Sequence, residues 1–569
     1  MLPVRSAACA LGALLLAACV PRGGLGSGPK TAAYDVVIEN GRVIDGTGAA
    51  WYYGDVALRD DRIAAIGPRG AFRSARAVTR VDATGHVVAP GFIDIQAQSY
   101  ENFMVGDGRA ISMVTQGITT AILGEGSTPA PVNDRILALE TDSATRALVS
   151  GFDGAHGFTD WLDYMVLRGA SQNIGSFIGN GTVRVYGKGG AMGPATAAEL
   201  DTMRAVVRRA MEDGAFGIAS ALIYPPNTYA STEELIEVNR AAAPYGGIYI
   251  THMRSEGDKF LEAMDEAIRI GREAGVPVEI YHLKASGVRN WPKMDQAIAK
   301  IDSARAAGQD VQADMYLYPA GGNSFASCIP PKYAANGRLL DNLRDPALRA
   351  TIVAEMHATD AGYENLCEIA TPSNVMVMGF KKVEYKRFEG KRLSEIAAAL
   401  GKDWAEVIID LNVEENAGLG EILFLMSEAN IENQLRQPWM KFGTDAGSQD
   451  PAKAVGLTHP RAYGNFTRLM GHYVRERRII PLEDAVRKAS SAVATRLSMN
   501  DRGVLKVGLK ADVIVFDPNT IIDNATFERP HQLSTGVRDV FVNGVAVLRN
   551  NAHTGATPGQ VVRGPGYRR

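Results

Sequence analysis

Between residues 91 and 446 the chain alternates short apolar runs with amphipathic helical stretches, and this alternation restricts the fold more than any other feature. "GGIYITHM" gives way to "DKFLEAMDEAIRIGREAG", in which Phe260, Leu261, Met264, Ile268 and Ile270 fall near helical spacing and Gly275 supplies a C-terminal stop. "VPVEIYHL" follows, then the helical "PKMDQAIAKIDSARAAG", then "DVQADMYLYP". With "GFIDIQA", "ITTAILGE", "IGSFIGN", "AFGIASAL" and "MKFGTDA" there are eight strand candidates. Eight parallel strands followed by helices predict an α/β fold, a (β/α)8 TIM-like barrel over 91–499, with 319–439 inserted after the seventh strand. A doubly wound open sheet is the alternative, but no Gly-rich dinucleotide turn supports it.

The flanks read differently. "YDVVIENGRVIDGTG", "GDVALRDDRIAAIG" and "AVTRVDATGHVVAPG" are β-branched runs cut by Gly and Asp turns, and "GVLKVGLKADVIVFDP" and "GVRDVFVNGVAVLRNN" repeat the pattern at the far end. Residues 34–90 and 500–569 are therefore expected to form one small β-sandwich domain. Residues 1–33 stand apart: Arg5, an apolar run too short to span a bilayer, and "LAAC" ending at Cys19 form a lipoprotein-type signal peptide, followed by a Gly/Pro tether. The expectation is an exported protein held at the membrane in the bacterial periplasm by a lipid on Cys19. Of the other cysteines, Cys9 leaves with the signal, and Cys328 and Cys367 could pair or remain two buried thiols. A net charge of −3 gives no basis for nucleic-acid binding.

Active sites of such barrels lie at the C-terminal ends of the strands, so the polar residues there are informative. Gln96 and Gln98 close the first candidate strand, Glu125 the second, Asn180 the third, His252 the fifth, His282 and Lys284 the sixth, Tyr316 the seventh and Asp445 the eighth. A lone histidine at a strand end is most often a hydrogen-bonded core residue. Two histidines and two carboxylates at one end of one barrel call for another explanation. Imidazole and carboxylate suit Zn²⁺ or a similar divalent ion, and Glu125, His252 and His282 make a three-ligand site that leaves a position for water. Strand alternation aims Lys284 to the same side as His282. Lys284, Tyr316 and Arg461 are the candidates to hold a substrate carboxylate.

"VVAPGFID", "ALIYPPNTYAS", "GGIYITHMRSEG", "REAGVPVEIYHLKASG", "DMYLYPAG" and "THPRAYGNFTR" together resemble the amidohydrolase superfamily, and within it the N-acyl-D-amino-acid deacylases. So do "LKVGLKADVIVFDP" and "GQVVRGPG", and the likeness covers nearly all of 34–569. The resemblance implies that His252 and His282 are metal ligands, that Glu125 stands where many members use Cys, that Asp445 is the catalytic aspartate, and that Lys284, Tyr316 and Arg461 bind substrate. Gln96 and Gln98 replace the family's His-x-His, and Asn180 replaces a "GHGT"-type His. Amide oxygens are weak zinc ligands, so one divalent metal ion, Zn²⁺, is expected rather than two, with Gln96 or Gln98 turned to the water or the oxyanion.

The implied reaction is hydrolysis of the amide of an N-acyl-D-amino acid, with Asp445 moving the proton. A D-dipeptidase, a cyclic-amide hydrolase using the same site, and a non-catalytic ligand-binding lipoprotein are the alternatives. The insertion carries the helical pair "RLSEIAAALGKDWAEVIIDLNVEE" and is expected to act as a lid; "EILFLM" reads as its packing core.

Overall fold

A computed structural model describes residues 33–359 and 362–568. Residues 1–32, with the lipobox at Cys19, lie outside the described residues.

Eight parallel strands form the ring: Phe92–Asp94, Ile118–Leu123, Asn173–Ser176 continued by Ile178–Gly179, Gly217–Ala221, Ile248–His252, Val278–Ile280, Val311–Met315 and Met440–Phe442. Each pairs with its sequence neighbour in parallel register. The third strand is broken at Phe177, its first half pairing with the second strand and its second half with the fourth. A parallel bridge between Ala97 and Ala446 joins the first strand to the eighth. These are the eight runs picked out by hydrophobicity, and they are buried on both faces, as a helix-covered parallel sheet requires.

Strand period sets where side chains go. Ile248 and Ile250 join one buried cluster with Ile93, Ile95 and Ile122, while Tyr249 between them joins the outer core against the helices. His252 continues the Ile248–Ile250 face. The covering helices start and stop where the sequence says: Thr196 and Glu199 form a capping box for Ala197–Glu212, and Phe260–Ala274 ends at Gly275 with φ 73°.

The chain ends meet in one nine-stranded sheet, in which Val87–Pro90 pairs antiparallel with Val513–Phe516. Its core draws Val36, Val56 and Leu58 from one end and Val513, Val515 and Phe541 from the other. The final residues, assigned by sequence to this domain, instead run back along the barrel, where Val561 bridges to Ile174 and Pro558 to Ala170. Between the seventh and eighth strands lie an antiparallel sheet of Gly321–Ser324, Gly420–Leu423 and Val375–Met378, and the expected helical pair, Leu393–Leu400 and Trp404–Glu414. Cys328 and Cys367 are joined as a disulfide, which resolves the two readings left open by the sequence.

Candidate active site

The C-terminal ends of the strands open into a cavity of about 510 Å³. Glu125 follows the second strand by two residues and His252 ends the fifth. His282 lies beyond the sixth, which stops at Ile280. Glu125 Oε1 is 3.5 Å from His252 Nδ1 and 3.3 Å from His282 Nε2, and the ligand atoms of the three residues all fall within 4.8 Å of one another. A carboxylate oxygen and two imidazole nitrogens converging on one point fit a zinc-like ion, so the donor set suits the metal that the sequence implies. Burial lowers the pKa of His252, which keeps that ring neutral. His282 is opposed by burial and by Lys284, but Glu256, Asp445 and Glu125 together push it up to about 10; metal binding there has to displace a proton.

Both glutamines turn toward this cluster. Gln96 Nε2 donates to Glu125 Oε2 at 2.7 Å, and Gln98 Nε2 donates to the same oxygen at 3.0 Å and to Asp445 Oδ1 at 2.8 Å. Only the amide nitrogens can face carboxylates in this way, which fixes the orientation of both amides. Asp445 follows the eighth strand, with φ 49°, and His282 has φ 31°. Such left-handed backbone in side-chain-bearing residues costs about 1–3 kcal/mol each and recurs where function dictates the placement. Burial, with Glu125 adding to it, raises Asp445 to about 6 despite Arg461, whose Nη1 lies 2.6 Å from Asp445 Oδ2.

The carboxylate-binding candidates also gather here. Arg461, the first residue of helix Arg461–Arg468, stacks its guanidinium 4.5 Å above the Tyr316 ring, and Lys284 Nζ lies 5.6 Å from the same ring. The Tyr316 hydroxyl is buried and has no hydrogen-bond partner among the described residues. Lys284 reaches the site by a different route from the one expected. Strand geometry ends at Ile280, so alternation does not aim it; a turn carries it to 2.7 Å from His282 Nδ1. Asn180 does not line the cavity and donates to Asn227 Oδ1, which does, at 3.2 Å.

Three features escaped the sequence reading. Glu256, in "THMRSEG", is buried against Lys284 and both histidines; its only sequence signal is a carboxylate four residues after His252. The Tyr224 ring packs 5.4 Å from His252. Leu423 and Leu425 of "EILFLM" line the cavity with Leu366 and Met378, so that segment contributes wall as well as core.

A family model described as "Amidohydrolase family" matches residues 437–548. The chain is 34% identical over 532 residues to a D-aminoacylase of Alcaligenes xylosoxydans xylosoxydans, covering 93% of this chain and 97% of the relative. Among solved structures it is similar to a D-aminoacylase with a binuclear metal centre, described as activated by one metal and attenuated by the second (TM-score 0.76, 32% identity, 93% and 100% coverage). It is also similar to an N-acyl-D-glutamate deacylase of Bordetella bronchiseptica, solved with zinc and a phosphonate mimic of the tetrahedral intermediate (TM-score 0.75, 30% identity, 93% and 99% coverage).

Proposed function

The chain belongs to the N-acyl-D-amino-acid deacylase family of the amidohydrolases, and on that premise we propose that it hydrolyses the amide of N-acyl-D-amino acids with a single divalent ion, Zn²⁺. The observation that carries this reading is the donor set of Glu125, His252 and His282 with Asp445 beside it. Glu125, His252 and His282 would hold the ion, which when bound would supply a more acidic water molecule and a polarised amide carbonyl. Asp445 accepts the proton of the attacking water and returns it to the leaving nitrogen, while Gln98 holds its carboxylate.

The tie between Arg461 and Asp445 gives substrate a part in preparing the base. An incoming α-carboxylate competes for the guanidinium, is met by the unpartnered Tyr316 hydroxyl, and leaves Asp445 free to take a proton. Among the described residues, Lys284 and Arg461 are the only lysine and arginine lining the cavity, and each already faces a carboxylate. That balance suits a substrate with one carboxylate and an apolar side chain set against Leu366, Met378, Leu423 and Leu425.

One metal, rather than two, is supported by Glu125 Oε2, which already accepts from both glutamines. Metal analysis of the purified protein is expected to give about one equivalent, lost in His282→Ala together with hydrolysis, as a three-ligand site requires. A metal-free protein inert toward every N-acyl-D- and L-amino acid tested would overturn the reading. Residues 16–19 support export and a lipid on Cys19; palmitate labelling that persists in Cys19→Ser would refute it.

A further inference from the structure

The first strands of the terminal sheet carry an exposed aromatic and cationic face that the reaction does not use. Trp51, Tyr52 and Tyr53, at the start of strand Tyr52–Arg59, are 40%, 41% and 53% exposed. Arg42, on strand Tyr34–Val43, stands directly opposite Tyr53 in antiparallel register, and Trp51 lies two residues before Tyr53, so these three side chains share one face. Their contacts agree. The Trp51 and Tyr53 rings meet edge to face at 5.1 Å, the Arg42 guanidinium lies 5.6 Å over Trp51, and that of Arg69 lies 6.0 Å over Tyr53. The same pairing of cation and ring recurs where the described chain starts. Arg59 lies 5.4 Å over Tyr34, the Tyr34 ring meets Phe72 at 5.4 Å, and Ala33 N donates to the carbonyl of exposed Arg76 at 2.9 Å.

We propose that this surface docks on a bilayer containing anionic phospholipid. Residues 41–80 hold seven arginines and no lysine. Arg62 and Arg80 are ion-paired, with Asp61 and Glu39, whereas Arg42, Arg59, Arg69, Arg73 and Arg76 have no carboxylate partner among the described residues. Asp55, under the patch, is wholly buried and accepts from the backbone N–H groups of Asn40 and Gly70. A guanidinium stacked on a ring still presents its edge N–H groups, which match phosphate through paired hydrogen bonds. Tryptophan and tyrosine settle at headgroup depth, where an apolar ring and a polar tip are both satisfied.

Position argues for the same partner. Residues 20–32 join Cys19 to Ala33, and even fully extended they span no more than about 45 Å. A lipid on Cys19 therefore keeps this end of the sheet against the bilayer, and the inference rests on that reading of Cys19 for bringing the surface there. A second copy of the chain is the competing occupant. Five arginines without carboxylates on each copy would repel across a two-fold contact, whereas phosphate headgroups neutralise them. No described residue of 34–90 lines the catalytic cavity, so docking leaves its walls untouched.

Trp51 reads the contact directly, because it is exposed while Trp161, Trp291, Trp404 and Trp439 are buried or half-buried. The full chain, purified from membranes, is placed in vesicles of brominated phosphatidylcholine with or without phosphatidylglycerol. Tryptophan emission is expected to be quenched when phosphatidylglycerol is present and to recover at high salt, and the quenched component should be missing in Trp51→Phe. Arg42→Gln with Arg69→Gln is expected to lower the docking equilibrium constant about 10- to 30-fold, and Arg42→Lys with Arg69→Lys to lower it less. Melting temperature and hydrolysis should stay at parent values in all of these variants. Equal quenching with and without phosphatidylglycerol, parent-like quenching in the Gln pair, or no quenching overturns the proposal. A lipid-free dimer that buries Trp51 overturns it too, and names a second copy as the occupant. If the purified chain has the mass of an unacylated protein, the anchor reading fails, and the same vesicles added to that chain still decide the surface.

Discussion

At the scale of single residues, the site is legible where a functional group stands at a strand end. Gln96, Gln98, Glu125, His252 and Asp445 are found by counting strands, because a parallel barrel brings all its C-terminal strand ends to one face. Glu256 is not found that way. Its burial comes from packing against Lys284 and from Glu364, 108 residues away, and no local pattern reports either. The glutamines show what identity alone leaves open, because their types say weak ligand while their contacts say donor. Two amide N–H groups sit on Glu125 Oε2 where a histidine pair would present lone pairs to a second ion. Replacing them together, Gln96→His with Gln98→His, is therefore expected to raise metal content from about one toward two equivalents, read by elemental analysis of the purified variant. A content fixed at one would show that the second position is closed for some other reason.

At the scale of elements, the insertion was half readable. The helices Leu393–Leu400 and Trp404–Glu414 carry their own amphipathic pattern and caps, whereas the three four-residue strands do not reveal themselves. They pair across some 45 to 100 positions and include runs such as "GGNS" that have no strand propensity. Glu421 lies in the middle strand of this sheet, buried against the Cys328–Cys367 disulfide, with Ser327 Oγ donating to it at 2.9 Å. Burial raises its pKa to about 8. An unfolded chain gives up this proton near its ordinary value of about 4.3, so between there and about 8 the folded state binds more protons than the unfolded one. The contribution of Glu421 to stability therefore falls as pH rises through that window and levels off above it. Glu421→Gln keeps an acceptor for Ser327 and has no proton to lose. The melting temperature of the parent relative to this variant should drop between pH 5 and pH 8; a constant difference over that range would show that Glu421 ionises normally.

At the scale of the whole molecule, the first and last described segments pack onto the part that does the chemistry. The β-runs at both ends announce a shared sheet, but "GQVVRGPGYRR" gives no strand signal, and its barrel partners lie more than 340 residues earlier. In the structure this tail straps the outside of the barrel: Val562 N donates to Ile174 O at 2.7 Å, Ile174 N to Gln560 O at 3.0 Å, Gly559 N to Ala170 O at 2.8 Å and Gly564 N to Gly214 O at 2.7 Å. Arg563 adds contacts to Thr159, Asp163 and the Asp213 carbonyl. The strap thus supports the third strand, which pairs with the second, the strand that leads to Glu125. None of its described residues lines the cavity. Each such backbone hydrogen bond contributes about 0.5–1.5 kcal/mol net, so a chain ending at residue 555 should lose a few kcal/mol of stability. That loss should appear as a melting temperature lower by a few degrees and faster thermal inactivation, with KM at 25 °C unchanged because the substrate's contacts are intact. An unaltered melting temperature would mean that the tail only rests on the barrel, and a raised KM would mean that strand three transmits its loosening to the site.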